Sequence, residues 1–216
     1  MSGLAIVTAL EATCRRCAQV LAEPRPTVEP LAQHGTVAEQ VTEALVDDRP
    51  IPLPVAQHEI GHILGAWCCV SEKLIAVIAR PSSGSTWHES PLEGSQDPAA
   101  LRDRVLRAIP GILAGAEVDR LNGLDWPCSR GDVLLADRLL ATVGHVGGHD
   151  AALRPLRHLA REIVRDGWPL IEPLALVLQE QRQLPGPAIA KFLEGSPEAR
   201  ELRWFYSRAF ATPATT

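Results

Sequence analysis

The 216-residue sequence predicts a mainly α-helical fold with one small β element. Apolar residues recur at helical spacing along most of the chain, and clusters of Gly and Pro interrupt them where helices should end. Only one segment, at about residues 73–79, is apolar and rich in β-branched residues, which indicates a strand. No internal repeat is present, so we expect a single mainly helical domain.

Two helices and a proline-rich connector are predicted first. An amphipathic helix covers residues 4–21, and the prolines between residues 24 and 30 prevent its continuation. Thr36 and Glu39 have the spacing of a capping box, which predicts a second helix. Further prolines keep the chain extended until a helix of about fifteen residues begins near Pro54.

The rest of the chain is predicted to be one strand followed by helices. The strand at about residues 73–79 is expected to stop at Pro81 and at the Ser/Gly run after it. Turn signals such as Asn122-Gly123, Gly167-Trp-Pro169 and Pro185-Gly186 separate the later helices. The predicted helices cover residues 99–121, 131–143, 151–166, 168–181, 187–193 and 197–210.

These elements group into three regions. Residues 1–35 form an N-terminal helix and connector, residues 36–195 the main domain, and residues 196–216 an aromatic segment and tail. We expect the aromatic side chains of the last region to pack back onto the main domain, or to contact a partner.

Composition argues against several classes of protein. A net charge of −5 gives no general electrostatic reason to bind nucleic acid. No stretch approaches the roughly 18 uninterrupted apolar residues of a membrane span, and the apolar run at residues 4–10 lacks the flanks of a secretory signal. The five cysteines, including the Cys14/Cys17 pair, do not form a disulfide or zinc-finger pattern, so we expect reduced thiols and a cytoplasmic location.

The motif that carries chemistry is His58-Glu-Ile-Gly-His62, which has the spacing His-Glu-x-x-His. Residues i and i+4 lie on one face of a helix, so both imidazoles can bind a single Zn²⁺. Such an ion activates water, and Glu59 is placed to take the proton as general base. The alternative is a helix that carries two histidines by chance.

Three residues are candidates for the third zinc ligand. Cys68 occupies the position of the third histidine of metzincins, but the Met-turn of that class is missing because the only methionine is Met1. Glu117 and Asp132 each place a carboxylate on an apolar helical face, where a buried charge needs a cation. For both acids, a helix N-terminal charge or an arginine partner is the structural alternative.

Five segments, in order, resemble the zinc peptidase domain of FtsH-type AAA proteases. The resemblance covers roughly residues 40–195, and the ATPase module of that family is absent from the sequence. Two of the matching segments are the His-Glu-x-x-His helix at residues 56–65 and the strand with its Ser/Gly run at residues 73–86. The other three cover residues 113–117, 129–136 and 171–189. The family's aspartate ligand falls on Asp132, so the resemblance implies that His58, His62 and Asp132 bind zinc.

The resemblance implies a helical, zincin-like metallopeptidase domain that stands alone and acts without ATP. Its substrates would be flexible or unfolded polypeptides, and the strand at residues 74–79 would pair with an extended peptide. The family forms hexamers, so a homo-oligomer is compatible with the resemblance. The alternatives are a catalytically silent, zinc-stabilised interaction module derived from a peptidase, and a zinc hydrolase that acts on a non-peptide amide.

Overall fold

The computed structural model describes residues 49–70, 74–81, 83–88, 97–144 and 149–210. The helices predicted over residues 4–21 and after Thr36, and the Cys14/Cys17 pair, lie outside these residues. Within the described residues the fold is mainly helical with a small antiparallel sheet, as the sequence predicts. None of the described helices is long and apolar enough to cross a membrane.

The helix that carries the His-Glu-x-x-His motif, α1, covers Leu53–Cys69. Pro54 lies in its first turn, where the missing N–H costs no hydrogen bond. The helix ends where the Val70 N–H bonds to the Ala66 carbonyl and the backbone becomes extended. Almost every residue between Val55 and Cys69 is buried, so α1 is the central helix of the core.

Three antiparallel strands form the sheet, in the order β2-β1-β3. The strands are β1 (Leu74–Arg80), β2 (Ser83–His88) and β3 (Gln183–Pro185). The sequence predicts only β1. The Ser/Gly run, which is expected only to stop the first strand, begins β2 instead, with Gly84 opposite Ala79. A Cβ atom at Gly84 would overlap the Glu59 side chain, so this glycine is explained by a close approach to α1.

The next two helices lie where the sequence predicts them, although the second begins earlier than predicted. Helix α2 covers Pro98–Leu121, and the Asp97 carboxylate caps its N-terminus by accepting a 3.0 Å hydrogen bond from the Ala99 N–H. Gly123 follows α2 with φ +70°, a left-handed conformation that favours glycine. Helix α3 covers Pro127–Thr142 and therefore begins before residue 131, the predicted start.

The break predicted at Gly167-Trp-Pro169 is wrong, because one helix, α4, runs through it from His149 to Gln181. A Cβ atom at Gly167 would overlap the Leu64 side chain, so Gly167 allows α4 to approach α1. An interior proline such as Pro169 costs about 3 kcal/mol in a helix. Apolar side chains that α4 buries on both sides of this point offset that cost; they are Ile163, Val164, Leu170 and Ile171.

The chain then forms two short helices, α5 (Gly186–Gly195) and α6 (Pro197–Ser207), and a 3₁₀ turn at Arg208–Phe210. The predicted packing of the aromatic segment is confirmed in part. Tyr206 is buried, and its hydroxyl donates a 2.5 Å hydrogen bond to Asp166 on α4. Trp204 and Phe205 remain 58% and 62% exposed.

Helices α1 and α2 pack closely in the core through glycines on both helices. Gly61 and Gly65 on α1 face α2, and Gly111 and Gly115 on α2 face α1. A Cβ atom at Gly65 would lie 2.8 Å from the Gly111 Cα, closer than non-bonded carbon atoms approach each other in proteins. Small residues at four-residue spacing on both helices therefore bring the two backbones together. This close approach sets the position of the α2 backbone beside the two histidines.

Candidate metal centre

His58 and His62 lie one turn apart on α1 and aim their inner ring nitrogens at the same point. The two Nε2 atoms are 3.0 Å apart, and both side chains are buried. Buried hydrogen-bonding atoms need partners, and two nitrogen lone pairs at this separation repel each other. The arrangement therefore requires a cation, either a proton or a metal ion, between or beside the two imidazoles.

The hydrogen-bond partners of the two Nδ1 atoms indicate that each Nδ1 carries a proton. His62 Nδ1 donates a 2.9 Å hydrogen bond to the Gly111 carbonyl oxygen, which can only accept. His58 Nδ1 donates a 2.7 Å hydrogen bond to Asp119 Oδ2. With both outer nitrogens donating, a metal ion that displaces the second proton of His58 would meet both Nε2 lone pairs, as in the histidine ligands of known metal sites.

Asp132 approaches the two imidazoles from α3. One carboxylate oxygen lies 3.5 Å from His58 Nε2 and the other 3.7 Å from His62 Nε2. Ligand atoms of a tetrahedral zinc ion with bonds of about 2.0–2.2 Å are about 3.3–3.6 Å apart. The predicted burial of Asp132 on the apolar face of α3 is confirmed, since it is only 2% exposed beside Ala136 and Leu140.

Glu59 completes a buried group of three potential metal ligands. Each of His58, Glu59 and His62 offers one ligand atom, and these three atoms lie within 4.8 Å of one another. The group could therefore hold a metal ion. Thr86 on β2 donates a 2.9 Å hydrogen bond to Glu59 Oε2. Strand β2 therefore holds the carboxylate through Thr86 and leaves room for it at Gly84.

Three carboxylates, those of Asp119, Asp132 and Glu59, act on the pKa of His58. Burial is the largest effect on His58 and lowers its pKa. The hydrogen bond to Asp119 and the charges of Asp132, Asp119 and Glu59 outweigh burial and raise the pKa of His58 to about 10. A pocket of buried carboxylates that stabilises positive charge on an imidazole is also suited to a divalent cation.

The other two candidate ligands have different surroundings. The Glu117 carboxylate is buried, but it accepts hydrogen bonds from Arg120 at 2.7 Å and Arg161 at 3.1 Å, so it is an arginine-paired acid. Cys68 is buried, and this burial strongly raises the pKa of its thiol, so the sulfur stays protonated. Among the described residues, His58, Glu59 and His62 are the only three potential ligands whose ligand atoms all lie within 4.8 Å of one another, and Asp132 is placed at the same site by its distances to the two Nε2 atoms.

Three residues of the site were missed by sequence reasoning. Gly115 lies against the rings of His58 and His62, where a Cβ atom would overlap both. Asp119 and Thr86 hold His58 and Glu59 in place. A signal for two of them is present, because Gly111, Gly115 and Asp119 recur every four residues on α2 and thus share one helical face.

Comparisons with known proteins add no family assignment. A scan against protein-family models gives no match to this chain. A search of curated proteins likewise gives no match.

Proposed function

We propose that the chain is a zinc-dependent endopeptidase that cleaves flexible or unfolded polypeptides without ATP. The observation that carries this proposal is the meeting of two Nε2 lone pairs and the Asp132 carboxylate at separations of 3.0, 3.5 and 3.7 Å. Two imidazoles and a carboxylate form the protein ligand set of a catalytic zinc site with one open position. His58, His62 and Asp132 are therefore the proposed ligands.

The proposed chemistry assigns Glu59 to proton transfer. Bound zinc would polarise the scissile carbonyl and lower the pKa of a water molecule. The Glu59 carboxylate would accept a proton from the attacking water and pass it to the nitrogen of the leaving amine. The Thr86 hydroxyl donates a hydrogen bond to Glu59 Oε2, and this bond restricts rotation of the carboxylate group.

The proposed place for the substrate is the outer edge of β2. The expectation that a peptide pairs with β1 is wrong, because β1 is the central strand and already pairs with β2 and β3. Among the described residues no strand pairs with the other edge of β2. A peptide extended along this edge would bond through its main chain, close to the strand residues that contact Glu59.

Cleavage of unfolded casein tests the function. We expect hydrolysis by the purified protein, its loss after treatment with a chelator, and its recovery when one equivalent of Zn²⁺ is added. Hydrolysis that survives the chelator, with no zinc in the protein, would contradict the proposal.

A second candidate function is a zinc-stabilised interaction module without catalysis. Its support is the burial of the four side chains, since Asp132, His62, Glu59 and His58 are only 2%, 3%, 4% and 5% exposed. Structural zinc sites are closed, whereas catalytic sites keep a position open to water. Stoichiometric zinc with no cleavage of any unfolded substrate would favour this candidate.

A further inference from the structure

Asp119 lies behind His58 and has no part in the chemistry proposed above. Its carboxylate is fully buried, and one oxygen, Oδ2, accepts two short hydrogen bonds. One comes from His58 Nδ1 at 2.7 Å and the other from Ser129 Oγ at 2.6 Å. Three helices therefore meet at one oxygen atom, since His58 lies on α1, Asp119 on α2 and Ser129 on α3.

The charge of Asp119 is balanced differently from that of its neighbour Glu117. Glu117 pairs with Arg120 and Arg161. Within the described part of the chain, Asp119 has no lysine or arginine partner, and its only charge-bearing contact is His58. A buried carboxylate requires a compensating positive charge. His58 would supply that charge when a metal ion is bound at its other nitrogen.

Ser129 and Asp132 lie three residues apart on α3, so they share one face of the helix. Through Asp119, Ser129 acts on the Nδ1 side of the His58 ring. Asp132 lies 3.5 Å from the Nε2 side of the same ring. Helix α3 thus acts on both sides of the His58 ring, through Asp119 at Nδ1 and through Asp132 at Nε2.

We propose that Asp119 and Ser129 are a positioning pair, which keeps the His58 proton on Nδ1, aims Nε2 at the metal and fixes α3 relative to α1. This inference rests on the proposed metal centre. The pair touches neither substrate nor metal and acts only through His58. His62 needs no such pair, because the backbone carbonyl of Gly111 has the same role for its Nδ1.

Four substitutions test the positioning pair. Asp119→Asn preserves the shape of the side chain but removes its charge. Ser129→Ala removes one hydrogen bond, and Ser129→Thr restores a hydroxyl at the same position. Glu117→Gln is the matched control, because it neutralises another buried carboxylate of α2 whose partners are arginines.

The primary measurement is the dissociation constant for Zn²⁺, obtained by competition with a chelator, together with the visible spectrum of bound Co²⁺. Loss of a carboxylate that supports a metal-binding histidine typically weakens binding 10- to 100-fold, so we expect about that change for Asp119→Asn. For Ser129→Ala we expect about three- to tenfold weaker binding, with recovery in Ser129→Thr. Glu117→Gln should change the constant by less than about threefold.

Coupling between the two positions is a sharper test. Because Ser129 acts through Asp119, adding Ser129→Ala to Asp119→Asn should weaken zinc binding by less than about twofold further. Thermal unfolding in chelator checks that each metal-free variant is folded. If Asp119→Asn does not fold, the comparison of Ser129→Ala with Ser129→Thr decides the question.

The outcomes separate this inference from the proposed function. Zinc binding that is unchanged in both Asp119→Asn and Ser129→Ala would overturn the positioning pair. Weakened binding in these variants, with no peptide cleavage by any form of the protein, would support the pair and contradict the peptidase. A native protein that binds no zinc would overturn both.

Discussion

Asp132 is the residue on which the ligand assignment depends. Its carboxylate lies 3.5 Å and 3.7 Å from the two histidine nitrogens, and it is almost completely buried. The imidazole pair is predictable from the spacing of His58 and His62 alone, because a helix places residues i and i+4 together. The third ligand is harder to predict, since α3 is brought to the site by tertiary packing.

Asp132→Ala should lower zinc affinity by at least about 100-fold, because removal of a ligand costs more than removal of a residue behind one. Zinc content measured by mass spectrometry after dialysis checks this prediction. Asp125→Ala, which removes an exposed carboxylate paired with Arg130, is the control and should retain zinc. Full zinc stoichiometry in Asp132→Ala would contradict the assignment.

Thr86 holds Glu59, the proposed general base, through a hydrogen bond. Thr86→Val preserves the volume of this fully buried side chain and removes its hydrogen bond to Glu59. We expect kcat to fall about 10- to 150-fold, since a hydrogen bond to a charged group contributes about 1.5–3 kcal/mol, with zinc content unchanged. Thr142→Val, at an exposed hydroxyl on α3, should have native activity. An unchanged kcat in Thr86→Val would contradict this role.

The contact between α1 and α2 is the structural basis of the site. Gly115→Ala would drive a Cβ atom into His58 and His62, so we expect loss of zinc binding and about 1–3 kcal/mol lower stability. Gly195→Ala is the matched control, because a Cβ atom there would meet nothing within 4 Å. Zinc titration and thermal unfolding measure both effects. Native zinc affinity in Gly115→Ala would contradict the packing argument.

The limits of sequence reasoning are clearest at the glycines. Gly123 lies in a predicted turn and Gly144 follows α3, and both have a positive φ. Gly84 and Gly167 also lie in Gly-containing segments that resemble turns, yet they are inside β2 and α4. These positions are glycine because Glu59 and Leu64 approach them too closely for a side chain. A glycine that permits a turn and a glycine that permits contact look the same until the neighbouring element is known. For that reason β2 and the continuity of α4 were not predicted.

The proposed peptidase should act on unfolded substrates and should not need ATP. Its 216 residues contain no Gly-rich loop ending in Gly-Lys-Ser/Thr, so nothing in them predicts ATP-driven unfolding. We expect casein to be cleaved at the same rate with and without ATP, and a stable folded protein to be cleaved only after it is denatured. Comparison of one substrate in its folded and denatured forms tests this. Equal cleavage of both forms would contradict it.

The most direct measurement compares Glu59→Gln with the native protein, with zinc content and peptide hydrolysis determined on the same samples. The substitution keeps the size of the side chain and an oxygen that can accept the Thr86 hydrogen bond, but the neutral amide cannot accept the proton from water. The zinc peptidase proposal predicts one zinc per chain in both proteins and at least about a hundredfold loss of hydrolysis in the variant. Native activity in zinc-loaded Glu59→Gln would contradict the mechanism.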